Sequence, residues 1–154
     1  MDPIAIFLDS DVIIAALLSE KGASSEIIKN SAFTKFVSKT ITKEVDEVAK
    51  RLHIDHPDKK LFETMHVITL DIKKERLAKK YFAYVSDLED SHVVAGAERS
   101  KSSFLLTHNL KHYKTDLIEQ KLKIVVLNPG QFLQYLRSKF LPWEMCRLPY
   151  EKKD

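Results

Sequence analysis

Residues 4–19 read IAIFLDSDVIIAALLS, and this stretch decides the fold. The short bulky run at 4–8 ends at residues that favour helix caps over strand interiors, so it reads as a buried strand feeding a helix start. Asp9 and Asp11, with Ser10 between them, then stand at a strand's carboxyl end. Open parallel α/β sheets bind ligands at that end, which makes both acids candidates for chemistry. The competing reading gives Asp9 or Asp11 only the work of a helix cap, accepting backbone N–H bonds.

Outward from that stretch, 154 residues with 44% hydrophobic content suit one domain with a real core. The longest apolar run, VIIAALL at 12–18, is far shorter than the ~20 residues a membrane-spanning helix needs. The start, MDPIAIF, lacks the basic flank of a secretory signal, and a lone Cys146 forms no internal disulfide; both fit a cytoplasmic protein. The net charge of +3 is mild, so any basic surface must be local. None of the three glycines falls in a phosphate-cradling pattern, which removes dinucleotide-fold and P-loop readings.

Further along, residues 12–18 form a helix that stops at Lys21-Gly22, and Ser24 or Ser25 caps a short helix at 26–30. Residues 42–52 are amphipathic, with Val45, Val48, Ala49 and Leu52 in one stripe. Glu44 lies on the flank of that stripe and Glu47 points away, so Glu44 is the acid placed to reach a cleft. It also fits a first-turn acid favoured by the helix dipole. His56-Pro57-Asp58 is a break before a helix at 59–65. Residues 67–70 (VITL) are the second strand, and 72–85 a helix with a lysine-rich solvated surface. In 86–101, SDLEDSHVVAGAERSK, Ser86 and Glu89 fit a capping box, or Asp87 caps with Asp90 at the third helical position. Residues 103–107 (SFLLT) are the third strand, ending at His108-Asn109. The fourth is 123–127 (KIVVL), before a helix at 131–139 with Pro129 near its start. Four strands separated by helices imply right-handed crossovers: an α/β chain in three layers, α/β/α, around a mostly parallel sheet.

Such a sheet gathers Asp9 and Asn109 at one edge, and helix starts bring Asp11 and Asp90 toward the same end. Crowded carboxylates repel one another unless a hard cation sits among them. Mg²⁺ or Mn²⁺ takes carboxylate oxygens, keeps waters and accepts phosphate oxygens, so the chemistry implied is metal-assisted phosphodiester hydrolysis.

Taken in order, FLDSDVIIAALL, the acid Glu44, LEDSHVVAGA, LLTHNLKHY and IVVLNPGQFLQYL resemble a PIN domain, the nuclease domain of VapC-type toxins and of several RNA-processing enzymes. The resemblance covers about residues 4–136. It implies a Mg²⁺- or Mn²⁺-dependent endoribonuclease acting on single-stranded or structured RNA, with Asp9, Glu44 and Asp90 as the metal-binding acids. Asn109, a further catalytic candidate, stands where many relatives carry a fourth acid, which weakens any second metal site. Accessory candidates are Ser10, Asp11, Asp87, Thr107 and His108, with Lys111 and His112 as substrate contacts. His108 and His112 also have a zinc-compatible spacing, but no third ligand is evident. By the same resemblance an antitoxin partner and a homodimer are expected, with no membrane association. The domain is placed at 1–139, and the tail 140–154, with Trp143 and Tyr150, either packs on it or docks a partner.

Two other classes compete. Asp9-Ser10-Asp11 looks like the nucleophile motif of haloacid-dehalogenase-like phosphatases, with Asp9 phosphorylated, although the later acids stand in the wrong order. A catalytically weak PIN-like RNA-binding module is the second.

Overall fold

The computed structural model of the protein describes residues 3–54 and 59–139. The break at 56–58 and the tail at 140–154 lie outside them. Within them, five parallel strands form one sheet in the order β3-β2-β1-β4-β5: β1 (Ile4–Leu8), β2 (Phe33–Ser38), β3 (His66–Ile68), β4 (Phe104–Leu106) and β5 (Val125–Leu127). The helices are α1 (Ser10–Leu18), α2 (Ala23–Lys29), α3 (Lys39–Arg51), α4 (Lys59–Glu63), α5 (Lys74–Tyr81), α6 (Ser91–Arg99), α7 (Thr115–Leu122) and α8 (Pro129–Lys139). This is the three-layer α/β/α arrangement, with an all-parallel sheet.

Strand β1 is central because nothing in it is polar: Ile6, Phe7 and Leu8 are fully buried. It pairs with β2 on one side and β4 on the other, Leu8 lying opposite Leu106. The chain reverses its direction of winding there, so the carboxyl ends of β1 and β4 flank a crevice. Helix α6 crosses close over β1. A Cβ at Gly96 would collide with the Phe7 ring, so this glycine sets the distance between helix and sheet.

Strand β2 is a correction to the four-strand expectation. Its sequence, FTKFVS, carries Lys35 at a position only 3% exposed. The ammonium donates to the carbonyls of Ile28 and Asn30 at the end of α2, which satisfies a charge that an isolated strand could not bury. Burial pushes the Lys35 ammonium down from its ordinary value. Two expected helices are also shorter than their apolar pattern. Residues 72–85 yield α5 and then a 3₁₀ turn at Phe82–Tyr84, because Val85 leaves to bridge Tyr113. Residues 86–101 yield a 3₁₀ turn at Leu88–Asp90 before α6 begins. The Ser86 capping box does not form: Ser86 donates its backbone N–H to His112 and its hydroxyl to Lys111. Asp87 caps the 3₁₀ turn, accepting from the Glu89 N–H.

Candidate active site

The crevice is built first by β1. Asp9 follows its last residue and is 7% exposed. One carboxylate oxygen accepts from the Ser10 N–H at 2.8 Å; the other accepts from the hydroxyls of Thr107 at 2.9 Å and Tyr113 at 2.8 Å. Both hydroxyls come from the segment after β4. Tyr113 is held there by the bridge to Val85 and by the backbone bond from Lys114 to Tyr84. Burial, then the charges of Asp9 and Asp90, push the Tyr113 hydroxyl far up, so it stays a neutral donor.

Asp11, in the first turn of α1, closes the same loop. It accepts from the Thr107 hydroxyl at 3.3 Å, from the His108 N–H at 3.2 and 3.1 Å, and from the Asn109 side-chain amide at 3.0 Å. Asn109 in turn donates its N–H to Thr107. Burial and the neighbouring Asp9 push the Asp11 carboxyl up to about 6 against the pull of these donors. Asp11 therefore clamps the loop after β4 onto α1.

Glu44 and Asp90 arrive on helices. Ser38, the last residue of β2, caps α3 by accepting from the Ile41 N–H, and this starts the helix earlier than residue 42 and fixes its rotation. Val45 and Ala49 face the core, Glu44 is half-buried on the flank, and Glu47 is exposed, as the periodicity requires. Glu44 meets His92 Nε2 at 2.9 Å. Burial pushes the Glu44 carboxyl up, but the hydrogen bond and charge of His92 and a hydrogen bond from Ser10 outweigh it and hold it below its ordinary value. Asp90 stands at the start of α6 and makes no capping bond, so its carboxylate is not consumed by the helix. Its oxygen meets His112 Nδ1 at 3.1 Å. Burial and the charge of Asp9 push the Asp90 carboxyl up, opposed by His112.

The structure thus brings Asp9, Asp11 and Asp90 around Tyr113, ties Thr107 to Asp9 and Asn109 to Asp11, and links Glu44 to Asp9 through Ser10. Asp87 is exposed and stays on its own turn. Lys111 lies exposed on the adjoining 3₁₀ turn, Leu110–His112. His108 and His112 do not pair: His108 Nε2 meets the Ser24 hydroxyl at 3.2 Å, and His112 belongs to Asp90. Among the described residues no three of His, Cys, Asp or Glu are already gathered as a metal-holding group. The acids nonetheless have the chemistry of a hard cation site: they are carboxylates, partly buried, and burial with the nearby charge of Asp9 pushes Asp11 and Asp90 up from their ordinary values.

A family model described as PIN domain matches residues 5–111. The chain belongs to the PIN domain family. Members of that family are generally nucleases. Solved structures share the fold of this PIN domain at low identity. A chain of a toxin-antitoxin complex from Klebsiella pneumoniae is 20% identical, over 80% of this chain and 97% of that one, with a TM-score of 0.58. VapBC2 from Rickettsia felis, bound to a DNA fragment from its promoter, is 12% identical over 81% and 98%, with a TM-score of 0.57. A Pyrobaculum aerophilum protein is 14% identical over 88% and 97%, with a TM-score of 0.56. Among curated proteins none matches the sequence significantly. With the PIN domain established, the phosphatase reading of Asp9 falls, and the hydroxyls of Thr107 and Tyr113 account for that carboxylate instead.

Proposed function

We propose that this PIN domain is a Mg²⁺- or Mn²⁺-dependent endoribonuclease. The observation that carries the reading is the gathering of Asp9, Asp90 and Asp11 around the Tyr113 hydroxyl at the carboxyl end of a parallel sheet. Asp9 and Asp90 would hold the cation, with Glu44 reaching it directly or through water, and Asn109 at the rim. Bound there, the cation supplies a more acidic water and neutralises charge on the phosphate being attacked. Tyr113 and Thr107, donating to one carboxylate oxygen, fix Asp9 in one rotamer. Ser10 does the same for Glu44. His112 and Lys111, on the exposed rim, stand where a phosphate chain would pass. The fold shared with chains of toxin-antitoxin complexes supports a toxin paired with an antitoxin protein; a cytoplasmic homodimer belongs to the same reading. Among the described residues no helix is long and apolar enough to cross a membrane.

The test is cleavage of single-stranded RNA by the purified chain with Mg²⁺ or Mn²⁺. Excess EDTA, Asp9→Asn and Glu44→Gln each abolish cleavage, while Glu47→Gln, on the outer face of the same helix, leaves it unchanged. Cleavage that survives EDTA, or that falls equally in Glu47→Gln, removes the metal site from the mechanism.

A further inference from the structure

A cleft of about 240 Å³ opens beside the acidic site, between α3, α5 and the turn at Leu88–Asp90. It shares Glu44 with that site, and its wall at Leu88 and Glu89 runs directly into Asp90. Leu70, Ile72, Leu77 and Leu88 make it apolar on the sides; Ser91 and His92 make it polar at the inner wall. Ser91 is 2% exposed, yet its Oγ has no hydrogen-bond partner among the described residues. Neither has the buried Nδ1 of His92, although the opposite nitrogen of the same ring is engaged by Glu44. Buried polar atoms without partners are costly, and two of them on one wall of a cleft mark a place where a ligand restores what folding removed. Leu88, at 54% exposure, is a large apolar side chain left open along the same cleft.

The occupant that fits this lining has apolar faces and a polar edge. An anion does not fit, because Glu44 and Glu89 line the cleft and Lys74 is already paired with Glu89 at 2.8 Å. A nucleobase fits on each count. Single-stranded RNA presents bases that unstack and splay, taken up between apolar side chains and read along their edges. The His92 Nδ1 and the Ser91 hydroxyl, which both donates and accepts, supply the polar groups for that edge. We propose that this cleft receives the base of a nucleotide flanking the phosphate at the acidic site, with its faces against Leu70, Ile72, Leu77 and Leu88 and its edge on Ser91 and His92. The assignment rests on the nuclease reading above and gives that site a means of choosing where RNA is cut.

Binding is measured separately from cleavage. The full chain, without added metal, is titrated with the four nucleoside 5′-monophosphates and with ribose 5-phosphate while its backbone amide NMR resonances are followed. At least one nucleotide shifts the amides of Leu77, Leu88, Ser91 and His92, and ribose 5-phosphate does not. Ser91→Ala weakens that nucleotide by about tenfold, the effect of one lost hydrogen bond. Leu88→Ser, at an exposed position that folding does not depend on, weakens it as well. Equal shifts from ribose 5-phosphate, shifts confined to other residues, or no shifts overturn base recognition. RNA cleavage with Mn²⁺ is followed in parallel. Nucleotide binding in the cleft without any cleavage would remove the nuclease reading and keep the pocket, whereas cleavage without base-dependent shifts would do the reverse.

Discussion

Asp9 and Asp11 sit where two central strands end, held by hydroxyl, amide and main-chain donors from across the sheet. Glu44 rides on the second turn of α3 and Asp90 on the start of α6, and each meets one histidine. The strand side is fixed by the backbone itself, so its geometry survives whatever enters the crevice. The helix side is held by two imidazoles, which the proposed cation would have to displace from Glu44 and Asp90. For a cation bound as proposed, partners of the same kind would have opposite effects: a donor to Asp9 would order it, whereas a histidine on Asp90 would compete with it.

Tyr113→Phe tests the strand side most severely. Removing the hydroxyl on Asp9 should lower Mn²⁺ affinity and RNA cleavage by about 10- to 100-fold, as loss of an orienting partner does. It should also cost roughly 1 kcal/mol of stability, read by calorimetric titration and by urea unfolding. Retention of full Mn²⁺ affinity would show that Asp9 needs no such fixing.

Asn109→Asp comes next. Its amide nitrogen is 3.0 Å from Asp11, so the new carboxylate faces an existing one. The metal-free protein should lose about 1 kcal/mol, and Mn²⁺ affinity should rise about tenfold as the cation relieves the added repulsion. No change in either quantity would place Asn109 outside the metal's reach.

His112→Ala sharpens the contrast. His112 is exposed, and its removal frees Asp90, so Mn²⁺ affinity should rise about threefold, opposite in sign to Tyr113→Phe. A fall would mean that the histidine orients Asp90 and does not compete for it.

The smallest effect is in pH dependence. The folded Asp11 carboxyl is pushed up to about 6 from 3.8. Between those two values the folded state keeps a proton that the unfolded chain has released, so in metal-free protein this contribution to stability is present at low pH and lost as the pH rises toward about 6. Subtracting the Asp11→Asn profile from the wild-type urea midpoints isolates the slope. A slope of the other sign would mean that the donors of His108 and Thr107 outweigh burial.

Much of the fixed side was legible locally. Residues 4–11 switch from bulky apolar to capping chemistry, and that switch alone places Asp9 at a strand end. Glu44 was separable from Glu47 because helical period is local too. Strand β2 was not legible: Lys35 marks it as polar, and what permits its burial is a pair of carbonyls on another element. The capping box at Ser86 was sound local chemistry overridden by a pairing 25 residues away. Tyr113 lay within a quoted motif, yet its partner is 104 positions earlier, a distance at which spacing carries no signal. His92 went unassigned for the same reason. The helix-side histidines belong to tertiary structure, whereas the acids they serve could be found from sequence order.

Asp9 reaches Thr107 and Tyr113 across 98 and 104 positions of chain. A ribosome translating this message releases Asp9, Glu44 and Asp90 in turn, but the segment that holds them in register emerges only afterward. Until residue 113 has cleared the exit tunnel, the nascent polypeptide lacks the donors that fix Asp9 and the partner strand beside β1. A fragment ending before β4, from a broken message or a stalled ribosome, therefore carries all three acids and no assembled centre. The sequence order itself puts completion of this crevice after residue 113 has emerged.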